Sequence, residues 1–187
     1  MTRVARTTDW LTGVADLRAF KSHLQALLSG PTDAAHYSLL GIDLDKFGYA
    51  NHFIGFIEAD RALTKLAAAV GEIVPSDGLF ARIGGDEFVV VLPDAGEGRR
   101  GTRLAHQLLD VVRESLQHLA TPDALVAMST ATSPFTASIG AVSFARRSSL
   151  TVESLLREAF ERAAFAKRSG RNRVWAQTVA PEQVAAS

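Results

Sequence analysis

Cysteine is absent from the 187-residue chain. That excludes disulfides, zinc–thiolate sites and thiol nucleophiles, and it fits a reducing compartment. Net charge is absent as well, because twenty Lys and Arg balance twenty Asp and Glu. With no global field to draw the chain to nucleic acid or an anionic membrane, any electrostatic function must be local. No apolar run approaches the roughly 18 residues a membrane span needs, and the opening MTRVARTTDW lacks an apolar signal core. A short basic cluster runs from Lys167 to Arg173, but no aromatic stacking platform accompanies it. These absences together predict a cytoplasmic chain with no membrane segment and no nucleic-acid partner.

What is present is an ordinary globular composition, with 47% hydrophobic and 21% charged residues, in a length suited to one core. Residues 1–8 read as a linker, as at the start of a module of a longer protein. The domain is expected over 9–176, and 177–187 reads as a flexible tail.

Residues 14–28 carry Val14, Leu17, Phe20, Leu24 and Leu27 at helical spacing, and Gly30-Pro31 stops that helix. The apolar run 37–42 (YSLLGI) predicts a buried strand ending at Asp43-Leu44-Asp45. From Ile57 to Val74, Leu63, Leu66, Ala67, Val70 and Ile73 repeat at three and four, predicting a long amphipathic helix. Leu79–Ile83 and Phe88–Leu92 read as two strands of a hairpin around Gly84-Gly85. A helix follows over 98–119, then strands over 124–130 and 136–144. A last helix spans Thr151 to Arg168, with Thr151 as N-cap and Gly170 as its stop, and Val174-Trp175 adds an edge strand. This order predicts an α/β (α+β) sandwich around a mixed, mainly antiparallel sheet.

Asp43 lies at one strand end and Asp86 and Glu87 at the hairpin turn. If the strand pairs beside the hairpin, three carboxylates converge. Like charges that close cost several kcal/mol unless a cation or a proton relieves them. Mg²⁺ suits such hard oxygen donors, usually with one or two carboxylates plus substrate phosphates, and a pair of such ions suits phosphoryl or nucleotidyl transfer. Turn chemistry is the other account: glycine supplies φ > 0, Asp favours the tip, and the carboxylates are simply solvated. The residues alone leave both open.

The stretch RIGGDEF at 82–88 resembles the signature of the GGDEF family, the bacterial diguanylate cyclases. Four further motifs carry the resemblance in order: Asp9-Trp10-Leu11-Thr12-Gly13; the set Asp43, Asp45, Phe47, Asn51, Gly55, Asp60 and Leu63; Ser138-Ile139-Gly140; and Ala166-Lys167-Arg168-Ser169-Gly170-Arg171-Asn172-Arg173. It covers about residues 9–175. It implies a palm-like fold, as in nucleotide cyclases and polymerases, with a central five-stranded sheet flanked by helices and the signature on a β-hairpin. It also implies condensation of two GTP into cyclic di-GMP, one GTP on each half of a homodimer, with two pyrophosphates released. Each 3′-hydroxyl attacks the α-phosphate of the other GTP.

By the same resemblance, Asp43, Asp86 and the Leu44 carbonyl hold two Mg²⁺ (or Mn²⁺). Glu87 is a second acid, open between proton transfer and support of the metal-binding carboxylates. Asn51 and Asp60 read guanine, a carboxylate accepting its N1–H and N2–H₂, and Leu63 packs on the base. Lys46 and Phe47 present backbone N–H groups to phosphate, Gly85 lets backbone approach the nucleotide, and Lys167 and Arg171 bind phosphate. A sensor domain upstream of residue 1 is a further partner the family allows.

The chain departs from the family pattern at Gly48, usually Lys, and at His52, Phe56 and Ala59. The product-inhibition motif R-x-x-D is replaced by Pro75-Ser76-Asp77-Gly78. The alternative expectation is therefore a degenerate domain that binds GTP or cyclic di-GMP as a regulatory or dimerisation module.

Overall fold

The computed structural model describes residues 7–30, 36–96, 98–130, 133–146 and 150–178. Its centre is one five-stranded sheet in the order β2-β3-β1-β4-β5. The strands are β1 (His36–Leu44), β2 (Leu79–Arg82), β3 (Glu87–Pro93), β4 (Ala137–Ala145) and β5 (Arg173–Thr178). β1 pairs antiparallel with β3 and β4, and β2 with β3; only β4 and β5 run parallel. The helix α5 (Val152–Arg168) makes that parallel crossover.

Helices cover both faces, which is why the central strands are almost continuously apolar instead of alternating. Leu40, Ile42 and Leu44 of β1 meet α2 (Ala50–Ile73) and α3 (Arg99–Leu116) on one face. Tyr37 and Leu39 meet α1 (Leu17–Ser29) and α5 on the other. Each large apolar side chain buried this way contributes on the order of 1.5–3 kcal/mol. Capping follows the local sequence. Asp16 accepts the Ala19 N–H at the start of α1, and Thr151 and Ser154 form a reciprocal capping box at the start of α5.

The mixed sheet and flanking helices agree with the expected α/β fold, but three elements differ. Residues 124–130 are not a strand. They belong to a short helix, α4 (Pro122–Ala127), and the chain that follows it. Thr121 caps α4, Pro122 occupies its first turn and Asp123 faces its positive end. Thr-Pro-Asp is a helix-start signal that outweighed the apolar run after it, of which only Ala124 is buried within the helix. The sheet still has five strands because β5 fills the place, and it runs to Thr178, past the expected start of the tail. α2 begins earlier than expected, at Ala50, and is broken at Gly55 (φ 77°, ψ 162°), a conformation open to glycine at little cost. β1 extends through Leu44, so Asp43 lies within the ladder. Phe160 is half-buried against the α1/α5 cluster.

Gly140 is where β4 and α5 touch. A Cβ there would stand 1.9 Å from the Ala159 carbonyl oxygen, whereas a Cβ on Gly71, exposed on α2, meets nothing within 4 Å. Gly140→Ala should therefore destabilise by about 3 kcal/mol or more, and Gly71→Ala should stabilise by about 0.5–1 kcal/mol. Denaturant unfolding of both variants checks this, and a stable Gly140→Ala would refute the packing.

Candidate active site

Strand register brings the acidic residues together. Asp43 of β1 stands between Glu87 of β3 and Ser138 of β4. The hairpin is tied to the same strand end, because Leu44 N–H donates to the Asp86 carbonyl at 3.1 Å. Asp86 raises the electrostatic cost of a charge on both Asp43 and Glu87. Burial first, then the adjacent acids Asp86 and Asp45, push the Asp43 carboxyl up despite an opposing ion pair from Lys167. Burial, followed by Asp43 and Asp86, pushes Glu87 up. Lys167 Nζ lies 2.6 Å from Asp43 Oδ1. This is the convergence the strand pairing required.

Asp45, just beyond β1, is fully buried. It accepts from Thr136 Oγ1 at 2.7 Å, Ser138 Oγ at 2.8 Å and the Asn172 N–H at 3.1 Å, and Arg171 Nε stands 3.9 Å away. Gly170, Arg171 and Asn172 all have positive φ (116°, 63° and 46°). That left-handed turn aims the Asn172 N–H at Asp45, and it follows directly from the helix end bearing Lys167. Asp45 is in the sequence motif, yet it carries no expected site role. Its partners come from β4 and the α5–β5 turn, and the alternation of Thr136 and Ser138 with apolar neighbours is the one local hint of them.

A second unanticipated link is Arg82. Its Nη1 donates to Asp9 Oδ1 at 3.0 Å, and its Nε and Nη2 donate to the Gly85 carbonyl at 3.2 and 2.7 Å. Asp9 Oδ1 also accepts the Thr12 N–H and hydroxyl. Burial opposes the Asp9 charge, but these bonds outweigh it and hold its carboxyl below the usual range. One guanidinium thus joins the Asp9–Gly13 turn to the signature turn.

Neither Gly84 nor Gly85 has positive φ, so the left-handed glycine that the turn-chemistry account offered is not what this turn uses. Space is the reason at Gly84, where a Cβ would approach Glu87 Oε2 to 2.8 Å; at Gly85 a Cβ would meet nothing within 4 Å. That leaves Gly85 open toward solvent at the hairpin tip.

The remaining expected residues sit on the Lys46–Leu63 segment. Lys46 (φ 57°) leads a single 3₁₀ turn, Phe47–Tyr49, whose first N–H groups lack partners within the turn. Asn51 and Asp60 flank the break at Gly55 and are half-buried, with no side-chain hydrogen bond among the described residues. Phe47 and Leu63 belong to the core beneath them. Asp77 of the altered product-inhibition position is held by Arg100 through two 2.8 Å bonds.

Two outcomes are expected from this geometry. Arg82→Ala should cost about 2 kcal/mol and should speed amide exchange at Gly84–Asp86 and at Asp9–Gly13 together. Unchanged exchange at Asp9–Gly13 would show that the turns are independent. Glu87→Gln should stabilise the metal-free protein by about 0.5 kcal/mol. Because the folded Glu87 carboxyl is raised above 4.5, the wild type loses stability as pH rises above that value. The Gln variant's advantage should therefore open as pH rises through that window and vanish below it. Thermal unfolding in chelator from pH 4 to 8 tests the sign.

The sequence profile of the GGDEF family, described as diguanylate cyclase, GGDEF domain, matches residues 6–173. The chain is 35% identical over 92 residues to the signaling protein YkoW of Bacillus subtilis, 48% of this chain and 11% of that protein. It is 29% identical over 114 residues to the probable diguanylate cyclase DgcJ of Escherichia coli, 60% of this chain and 22% of that one. The chain thus spans less than a third of the length of these curated relatives. The GGDEF domain of DgcB from Caulobacter crescentus, solved in complex with c-di-GMP, matches with a TM-score of 0.74 at 25% identity, covering 94% of this chain and 96% of that one.

Proposed function

The chain belongs to the GGDEF family, and from that premise we propose that it is a diguanylate cyclase condensing two GTP into cyclic di-GMP with release of two pyrophosphates. The observation that carries the reading is the junction of Asp43, Asp86 and Glu87 beside Lys167 at one sheet end. Carboxylates kept near one another at an electrostatic cost are suited to a divalent cation.

Mg²⁺ fits this donor set, with Asp43, Asp86 and the Leu44 carbonyl as its holders; no described group of three acidic or histidine side chains is already gathered as a cage. That agrees with an ion that takes one or two carboxylates and leaves its other positions to water and phosphate. When bound, two such ions (or Mn²⁺) supply charge neutralisation at the triphosphate and the attacking 3′-oxygen. Lys167 and Arg171 then hold the triphosphate. The Lys46 and Phe47 N–H groups supply further donors to it. Asp60 accepts the guanine N1–H and N2–H₂, Asn51 bonds the base edge, and Leu63 supports the pocket floor. Adenine, lacking the N1–H, would leave Asp60 poorly paired. Glu87 is placed to assist proton removal or to hold Asp86 and Asp43 in position.

Each half of a homodimer contributes one GTP in this reading. Tyr49, Phe56 and Ile57, exposed on the segment carrying Asn51 and Asp60, support a facing partner there. A sensor domain upstream completes the proposed assembly.

The second reading, a regulatory domain that binds GTP or cyclic di-GMP without turnover, rests on Gly48. A Cβ there meets open space, so the position has room for a cation but lacks one.

Incubation with GTP and Mg²⁺, followed by mass spectrometry, should show cyclic di-GMP that disappears in Asp86→Ala. GTP binding with no product at high protein concentration would instead establish the regulator.

A further inference from the structure

A cavity of about 500 Å³ opens on the far side of the domain from the carboxylates. Its floor is Ala141 and Ser143 of β4 with Ala176 of β5, and its wall is the first half of α3. Ser38, on β1 beside Ser143, also borders it. Ser38 and Asp43 are five residues apart on one extended strand, so the cavity lies roughly 17 Å from the acidic cluster.

Ser143 is 4% exposed, and its hydroxyl has no hydrogen-bond partner. A buried hydroxyl left unpaired costs about 1–3 kcal/mol. The contrast with Ser38 is direct, since the Ser38 hydroxyl donates to Asp94 at 2.8 Å. Gly98, at φ 101°, lies over Ser143, where a Cβ would approach the Ser143 Cβ to 2.9 Å. Gly98 thus packs directly on Ser143, a residue of the cavity lining whose hydroxyl is unpaired.

The wall is basic. Arg99 and Arg103 sit one turn apart on α3, and neither guanidinium has a hydrogen bond or ion pair among the described residues. Arg100 differs, being turned away to Asp77 and the Pro93 carbonyl. His106 engages the Thr102 carbonyl through Nδ1. No described carboxylate lines the cavity. Asp94, which binds the lining residue Ser38, is occupied by Ser38 and by the N–H groups of Gly96 and Gly101.

We propose that this cleft is a second small-molecule site, taking a compact anion with an apolar body. The apolar part lies on Ala141 and Ala176, the anionic group meets Arg99 and Arg103, and the Ser143 hydroxyl hydrogen-bonds the occupant. The site is independent of the nucleotide reading, because it shares no residue with the acidic end.

The test is an amide-resolved NMR titration of the full chain with 1-naphthyl phosphate, with inorganic phosphate and 1-naphthol as component probes. Naphthyl phosphate should give saturable shifts at Gly98, Thr102, Ser143 and Ala176, and should bind more tightly than either component. Arg103→Glu, at an exposed position, should weaken it roughly tenfold or more. Ala176→Trp should fill the cleft and abolish the shifts. Ser143→Ala supplies a split readout, with a thermal midpoint equal to or above wild type but weaker probe binding. Shifts confined to the Asp86 hairpin, affinity unchanged in both Arg103→Glu and Ser143→Ala, or equal binding of inorganic phosphate would each overturn the site.

Discussion

The buried carboxylate of Asp45 is the constraint on which the acidic end of the sheet depends. Fully enclosed, it needs several donors to offset its lost hydration. It finds them in Thr136 and Ser138 at the start of β4 and in the Asn172 N–H of the α5–β5 turn. Two chain segments far apart in sequence are therefore bound to the end of β1. The consequence reaches Lys167. Its helix ends in the turn that Asp45 fixes, and the Lys167 ammonium arrives at Asp43. Non-glycine residues in left-handed conformations are costly, of order 1–3 kcal/mol each at constrained sites. Arg171 and Asn172 adopt them consecutively. The hydrogen bond to a buried charge is the physical compensation visible for that cost.

Arg82 does similar work on the opposite flank. The signature turn has few contacts of its own, and Gly85 has open space around it. A guanidinium that satisfies both the Gly85 carbonyl and Asp9 gives the turn a fixed position. The hairpin is thus held at its base by the β1–β3 ladder, at its side by Leu44, and at its tip by Arg82. Rigid placement of acidic groups is what a cation-dependent reaction requires, since misplaced ligands lose most of their benefit.

Much of this was legible in the sequence. Helical spacing and the glycine-containing hairpin revealed the layers, and the expected strand pairing pointed to Asp43, Asp86 and Glu87 as neighbours, while the pairing of Lys167 with Asp43 came only with the structure. Periodicity failed at 124–130, where apolar residues look alike in a strand and a short helix, and Thr121-Pro122-Asp123 was the better guide. The roles of Asp45 and Arg82 were illegible for a different reason. Each depends on a pairing register or a turn geometry that one sequence does not display. The glycines of the signature show the same limit. Their place in a tight hairpin was clear, but space for Glu87, not backbone handedness, is what Gly84 provides.

The acidic end also shows why stability and function pull apart here. Asp43 and Glu87 face each other across a strand pair, a position where opposite charges or apolar residues would hold the sheet better. Burial raises the cost further for both. Lys167 relieves only part of it, because one ammonium meets Asp43 while Glu87 and Asp86 remain. A fold selected for stability alone would neutralise such a cluster. Retaining it makes sense if positive charge arrives from outside, with cations that accompany a polyphosphate. The missing cation at Gly48 sharpens the point, since less of that neutralisation then comes from the protein itself. If the chain binds nucleotide and metal as proposed, the two affinities are coupled, each ligand lowering the electrostatic cost that the other meets.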